Sequence, residues 1–542
     1  MSVAKSSLVM AGGTITSRIL GFFRTVVLAL TIGVTTDAAD AFGVANQLPN
    51  NVYAIIAGGV LSAVLVPQIV KARSHKDDGL GYINRLLTLA IVVFAVVTVV
   101  ATLAAPFLIS IYTSGWSPAQ LALATAFAYW CIPQLFFYGL YSMLGEVLNA
   151  RSAFGPYMWA PVLNNLVGLI GLVAFLIIFG ADPTGARTVE SWDQTQIALL
   201  GGSATLGVMA QAFILFFSWR KIGVNFSFNF SWRGVGLRPA MKAAAWTLGM
   251  VLITQIGGLV QTVVASRAVV DRTEGVAIAS IAAMAIAWLI FMLPHSVVTV
   301  SVATAYFTKM SEHVQQKRID LMKVDLRLAL RVVVLVNVFS TIALVLLSYP
   351  VARVFVGEYD STVALGNVLL ATMVGLIPFG MVFMFQRAFY ALEDTKTPFV
   401  YTTIQIVIHI IGSIVLFFVM DSRFLVMSLA ALTSATISVQ ALTAYLFLKS
   451  RVGAIGAPPK GQALTLRVIV AGVVTALVGY AMVMLLGGTS QSSLALGTIA
   501  GAVAVIAAAG FVMLAAYLAV LKLLKVPEIH IAFSGIAGIL RR

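Results

Sequence analysis

Carboxylates and cysteine are scarce in this chain: 19 Asp and Glu and one cysteine, Cys131, among 542 residues. A lone cysteine excludes an intrachain disulfide, and Cys131 lies in an apolar run where a small buried hydrophobe is its ordinary role. Charged residues of both signs make up only 10% of the chain. Soluble domains carry about a quarter, so a soluble fold is excluded. Long polar loops are also missing. The longest outer one lies near 181–195 with Asp182, Glu190 and Asp193, which leaves an enzyme little room to position acids and bases. A membrane glycosyltransferase is therefore set aside, and no cofactor or metal is expected.

What is present is apolar. Hydrophobic residues make up 60% of the chain and mean hydropathy is +1.01. A bilayer core takes about 20 apolar residues per helix, and such stretches follow one another from end to end. They predict an all-α polytopic membrane protein of about fourteen spans. These lie near 7–33, 41–70, 86–112, 120–149, 157–180, 196–219, 239–270, 275–308, 327–356, 362–391, 398–420, 425–449, 464–486 and 494–522. The runs are continuous rather than alternating, which excludes a β-barrel. The apolar run after Lys5 is too long, and contains arginines, to read as a cleavable signal.

The net charge of +15 would suggest nucleic acid in a soluble protein. Here the cations sit in short loops, where orientation and anionic membrane lipids account for them, and no nucleic-acid partner is expected. With the N-terminus inside, 27 of the 34 Lys and Arg fall in inner loops, 5 in outer loops, and two inside the first span. The split follows the positive-inside rule to the last loop. It predicts an even number of spans and cytoplasmic termini. The last stretch, 527–542, reads as a short amphipathic inner-surface helix or a frayed tail.

Two segment pairs repeat. AADAFGVANQLPNNV (38–52) aligns with AMAIAWLIFMLPHSV (283–297), setting Pro49 on Pro294 at an offset of 245. VLNARSAFGPYMWAP (147–161) aligns with FYALEDTKTPFVYTT (389–403), setting Pro156 on Pro398 at an offset of 242. Nearly equal offsets imply two homologous six-span halves in parallel repeat plus two extra helices, the plan of an alternating-access transporter. The expected divisions are an N-lobe over 1–220, a C-lobe over 239–450, a lipid-groove pair over 464–522 and a cytoplasmic tail over 523–542.

The two intramembrane cations are Arg18 and Arg24. An arginine at a helix centre costs about 2.5–3.5 kcal/mol on insertion scales, so it marks function by default. On a helix the two lie roughly 120° and about 9 Å apart. The arc between them holds Thr14, Ser17, Gly21 and Thr25; the opposite side holds Ile15, Ile19, Phe22, Phe23 and Val26. Small residues let a bulky group near the backbone, and guanidinium forks match phosphate oxygens in pairs. Snorkelling, or pairing with a carboxylate, is the alternative. The second span opens with Asp37 and Asp40, and Pro49 bends it among Asn46, Gln47, Asn50 and Asn51. Cavity lining and plain interhelical bonding compete there. Asp40, Pro49 and Pro294 are the conformational candidates. Gln405 and His409 share a face of the eleventh span, with Asn164 and Asn165 in its counterpart, and Glu146 lies near the inner end of the fourth.

SRILGFFRTVVLA (17–29), TDAADAFGVANQLPN (36–50) and AGGVLSAVLVPQ (57–68) resemble the opening of the MurJ (MviN) family of lipid II flippases. FYALEDTKTP (389–398) resembles the matching second-half motif of that family and of its wider multidrug/oligosaccharidyl-lipid/polysaccharide exporter superfamily. The resemblance implies two lobes around a central cavity, a lipid-facing groove at the last two helices, and lipid II as substrate. Peptidoglycan-synthesis proteins join it as candidate partners, in the plasma membrane of a bacterium. It implies that Arg18 and Arg24 contact the diphosphate and that Asp40 matches an acidic position needed for transport. The runner-up is another transporter of the superfamily, a polysaccharide-lipid flippase or drug exporter, although a cationic cavity disfavours cationic drugs. Two departures stand out. Many members have arginines just after the LPN of the second span, where this chain has Tyr53 and Ala54, and an arginine in span eight, where it has Leu289. Arg267 and Arg272, beside Asp271 and Glu274, are the candidate replacements in substrate binding, with a solvated ion-pair cluster as the alternative.

Overall fold

The computed structural model describes residues 3–56, 80–151, 153–221, 226–231, 237–270, 272, 277–455 and 464–526. Among them the regular structure is helical throughout. The motif at 57–68 and the tail at 527–542 lie outside the described residues. Twelve helical segments are long and apolar enough to cross a bilayer, and a pair bent by 40° makes a thirteenth. The second expected span is a 20-residue helix carrying two aspartates and four side-chain amides, Asp37–Ile56, and is not among the twelve. Chain contacts divide the molecule into two compact units, Met1–Val270 and Asp271–Arg542.

The first unit comprises α1 (Val3–Ile32), α2 (Asp37–Ile56), α3 (Leu80–Leu103), α4 (Ala105–Tyr112), α5 (Pro118–Cys131), α6 (Gln134–Ala150), α7 (Phe154–Phe179), α8 (Gln194–Lys221) and α9 (Leu237–Arg267). α1 turns into α2 at Gly33, whose φ of +79° suits glycine and whose added Cβ would meet the Pro183 carbonyl oxygen at 2.8 Å. Thr36 then caps α2, its Oγ1 accepting from the Ala39 amide at 3.1 Å. Ser117 caps α5 ahead of Pro118, a proline placed where the missing N–H costs nothing. Phe42, Phe127, Phe175 and Trp192 form the aromatic core at the loop end of this unit.

The repeat places α9 in the second half, yet its contacts are with the first unit. Ser266 Oγ accepts from the Ser114 amide at 2.8 Å, and its carbonyl accepts from Trp116 Nε1 at 3.1 Å. Packing thus divides the chain at 270/271, whereas the repeat expected from the sequence would divide it between 220 and 239. The two criteria differ because a repeat records common descent and a contact records which surface a helix covers.

The second unit comprises α10 (Ile281–Pro294), α11 (Val300–Gln315), α12 (Ile319–Leu346), α13 (Ser348–Phe355), α14 (Tyr359–Met373), α15 (Leu376–Ala391), α16 (Lys396–Val419), α17 (Ser422–Val452), α18 (Leu464–Leu485), α19 (Leu494–Gly497) and α20 (Ile499–Leu523). Its helices are interrupted. Between α10 and α11 the chain makes a π-turn over His295–Thr299, directly after Pro294. A proline that removes one ladder bond and a wide turn that shifts the register belong together physically. The second interruption parts α14 from α15, two residues before Pro378. Both breaks are satisfied by side chains. Asn337 of α12 donates Nδ2 to the Leu376 carbonyl at 3.2 Å and to Thr299 Oγ1 at 3.5 Å. Ser434 of α17 donates to the Ala371 carbonyl at 2.8 Å. Arg353 of α13 ties α19 in place, donating Nε to the Leu496 carbonyl at 2.7 Å and Nη2 to that of Gly497 at 3.2 Å.

Candidate functional site

α1 lies along α7, and the small face of α1 is the seam between them. Asn165 of α7 donates Nδ2 to the Ser17 carbonyl at 2.8 Å and to Ser17 Oγ at 3.2 Å. Gly21 also packs on Asn165, and Gly13 lies against Met158 and Trp159, so closely that a Cβ there would sit 2.8 Å from the Met158 carbonyl oxygen. Thr25 turns its hydroxyl back to the Gly21 carbonyl at 3.0 Å. The arc that the sequence leaves open for a bulky group is therefore filled by α7 at Ser17 and Gly21.

Arg24 stands at the edge of this seam. Its candidate span runs Gly12–Ile32, so Arg24 lies about 12 Å from one end and about 18 Å from the other at 1.5 Å per residue. That is within the hydrocarbon. The side chain does not run out along α1. It crosses Gly168 of α7, where an added Cβ would meet Nε at 2.7 Å and Cζ at 2.8 Å. Nη1 reaches Asn164 Oδ1 at 3.5 Å, at the limit of a hydrogen bond. Asn164 in turn donates to Gln211 of α8 at 2.9 Å. Tyr138 and Cys131 are within electrostatic reach of the guanidinium. Tyr138 donates to Gln134 Oε1 at 3.2 Å, and Gln134 donates to Asn46 Oδ1 of α2 at 3.0 Å. Neutral dipoles from five helices thus surround a permanent cation, and among the described residues no carboxylate pairs with it. The nearby acid, Glu146, lies beside Tyr53 and Tyr157 instead. Arg18, a turn and a half away, is exposed and likewise without a carboxylate partner among the described residues.

The remaining expected residues divide. Asn50 is exposed on α2, while Pro49 is buried and Asn51 donates to the Tyr112 hydroxyl at 3.2 Å. Asp40 is fully buried in the first turn of α2. Tyr53 lays its ring on Tyr138 at 5.6 Å and Phe94 at 6.4 Å. Arg267 ends α9 beside the Ser114–Trp116 turn. Cys131, next to Arg24, is about 20 Å further along α5 from that turn. Arg272 belongs to the second unit, where Nη2 donates to the Ile278 carbonyl at 3.0 Å and Ser280 Oγ at 2.9 Å. Gly168, Gln211, Tyr138 and Gln134 were not legible as site residues. The one hint was a glycine four residues after Asn164, the spacing that stacks two positions on one face of a helix.

In the second unit, Val338 and Ile342 of α12 and Val468, Ile469, Gly472, Val473 and Ala476 of α18 line an apolar groove of about 270 Å³. Gly472 leaves that floor low; a Cβ on it would touch Ile342 at 3.1 Å.

These features match known proteins. The family model described as "Lipid II flippase MurJ" matches residues 28–499. A protein of Rhizobium tropici named "Probable lipid II flippase MurJ" is 28% identical over 433 residues, covering 78% of this chain and 77% of the relative. Among solved structures, one titled "Lipid II flippase MurJ, inward closed conformation" superposes with a TM-score of 0.70 at 20% identity, covering 92% of this chain and 97% of that one. A MATE crystal structure superposes at 0.58 with 16% identity, covering 83% and 96%; both show the fold. With twelve or more apolar helices and a family match over most of its length, the chain is a multi-pass membrane protein that belongs to the MurJ family of lipid II flippases.

Proposed function

We propose that this protein carries lipid II, a polyprenyl-diphosphate-linked peptidoglycan precursor, from the inner to the outer leaflet of a bacterial plasma membrane by alternating access, with both termini cytoplasmic. The observation that carries this reading is Arg24: a permanent cation held in the hydrocarbon by neutral dipoles, with no carboxylate partner among the described residues. A structural arginine at that depth gains most from an acid. One kept among amides is free to take its counter-charge from a ligand, and a diphosphate offers paired oxygens to Arg24 and Arg18. Ser17 and Gly21 fix the height of the two guanidiniums by seating α1 on α7, Thr25 lies a turn beyond them on the same arc, and Asn50 adds a polar contact from α2. Arg267, at the end of α9, and Arg272, in the segment between α9 and α10, belong to a later contact.

The polyprenyl tail is apolar and gains nothing from leaving lipid. The α12–α18 groove suits it, since every lining residue is aliphatic or glycine. The halves at 1–220 and 239–450 then act as the moving lobes, with 464–522 as the tail-bearing pair and Asp40, Pro49 and Pro294 as the conformational residues. Membrane potential, worth about 2.3 kcal/mol per charge per 100 mV, is one available driving force for an anionic head.

The test is reconstitution. Purified protein in vesicles loaded with lipid II should raise the fraction reached by an external probe of the headgroup, and Arg24→Ala should remove that rise while remaining folded. Wild-type protein that moves no lipid II would refute the reading.

A further inference from the structure

His409 lies on α16, inside the second unit and away from the groove. It is 3% exposed, and neither ring nitrogen has a hydrogen-bond partner among the described residues. Ser413, one turn further on the same face, is fully buried with its hydroxyl equally unpartnered. Two further side chains of that face are bonded across the seam, while the Tyr401 hydroxyl, buried about 12 Å back along α16, is unpartnered as well. Gln405 donates to Thr436 Oγ1 of α17 at 3.2 Å, and Gln440 of α17 donates to Thr402 Oγ1 at 3.0 Å. The antiparallel register of those two bonds carries His409 to the level of Thr433, whose own hydroxyl donates to the Leu429 carbonyl. A polar seam thus runs between α16 and α17, bonded at one end and unbonded at the other. Leaving a buried donor or acceptor unmade is costly, and His409 and Ser413 hold three such atoms together here.

Among the described residues, none of the side chains on the helices packed against His409 compensates a charge there. On α17 the stretch 424–444 contains no titratable side chain. On α15 the titratable groups are Arg387 and Tyr390, and Tyr390 pairs electrostatically with Tyr401, about 12 Å along α16 from His409. An imidazolium in the closed seam would be an uncompensated cation in apolar surroundings. A conformation in which α17 draws back and admits water removes that penalty.

We propose that His409 is a proton-binding site whose occupancy depends on conformation, taking up a proton from water when the α16–α17 seam opens and releasing it when the seam closes. Differential affinity of a ligand for two states is the whole physical requirement for coupling. The site would add a proton to whatever force the membrane potential supplies, with Ser413 and Gln405 holding the entering water. The inference rests on the transport reading above.

Lipid II transport in vesicles, measured from pH 5.5 to 8.5, is the test, with His409→Gln and His409→Leu beside wild type. Wild type should change rate about tenfold across the range with the slope of one proton. His409→Gln should be flat. His409→Leu, which removes the unpartnered atoms, should be flat as well and melt no lower than wild type. A histidine kept only for packing predicts an unchanged pH profile in His409→Gln, and that result, or a wild-type rate independent of pH, overturns the proposal. If wild type moves no lipid II at any pH, the substrate is wrong, and His409 is judged separately. The chain has 5 histidines, so ¹³Cε1-histidine NMR can identify its signal by loss in His409→Gln; a signal that titrates within this range supports the site and one that never moves refutes it.

Discussion

α7 and α16 are counterparts in the repeat, and each buries a polar face, but they bury it against different things. On α7 the amides of Asn164 and Asn165 face α1 and reach Arg24 and Ser17. On α16 the corresponding turns face α17 with Gln405, His409 and Ser413, and no permanent charge is among them. One scaffold has thus been used twice. In the first unit, neutral side chains hold a fixed cation without neutralising it. In the second, they surround a group that carries charge only when protonated. The lesson concerns cost: a fixed charge in the hydrocarbon must be held by dipoles at all times, whereas a titratable group escapes the penalty by giving up its proton.

The sharpest way to break this comparison is Arg24→Ala. Loss of a charge-assisted contact to a buried anion costs about 2–5 kcal/mol, so lipid II exposure should fall about 100-fold or more with the fold intact. Arg24→Lys should recover only part, since an ammonium lacks the paired fork. Next comes Asn164→Asp, which gives Arg24 the carboxylate it does without. Transport should drop about tenfold while thermal stability holds or rises; unchanged transport would mean that the missing counter-charge is irrelevant. Gly168→Val should push the guanidinium off α7, because a Cβ there sits 2.7 Å from Nε. Its expected loss of lipid II transport is several-fold. Smallest is Arg353→Ala, which releases the two carbonyls of α19. The expected effect is a destabilisation of about 1–2 kcal/mol in denaturant or thermal unfolding, with a modest fall in transport if the α12–α18 groove needs α19 to stay put.

Much of this was readable in the chain. Most of the spans and their approximate ends follow from hydropathy. The break after Pro294 follows from a missing N–H, whereas Pro49 sits inside the uninterrupted helix α2. Other features did not follow. A helical wheel shows which residues share a face but not what covers it, so the small arc of α1 reads equally as a ligand berth or a helix seam; Asn165 decides it at Ser17. The π-turn at His295–Thr299 adds one residue to a turn and leaves no compositional trace beyond its proline. The residence of α9 with the first unit depends on Ser266 meeting Ser114 and Trp116, contacts about 150 residues apart in sequence that no local pattern encodes.

The uncompensated guanidinium of Arg24 bears on leakage as well as on cargo. A protein that opens a hydrophilic vestibule to each side of a membrane in turn risks short-circuiting the ion gradients that sustain the cell. If Arg24 lines that path as proposed, its fixed positive charge repels sodium, potassium and hydronium alike, as an arginine does in channels that must exclude cations. Between turnovers the unloaded protein should therefore remain electrically tight, and vesicles carrying Arg24→Ala should lose a potassium gradient faster than vesicles carrying the wild-type chain.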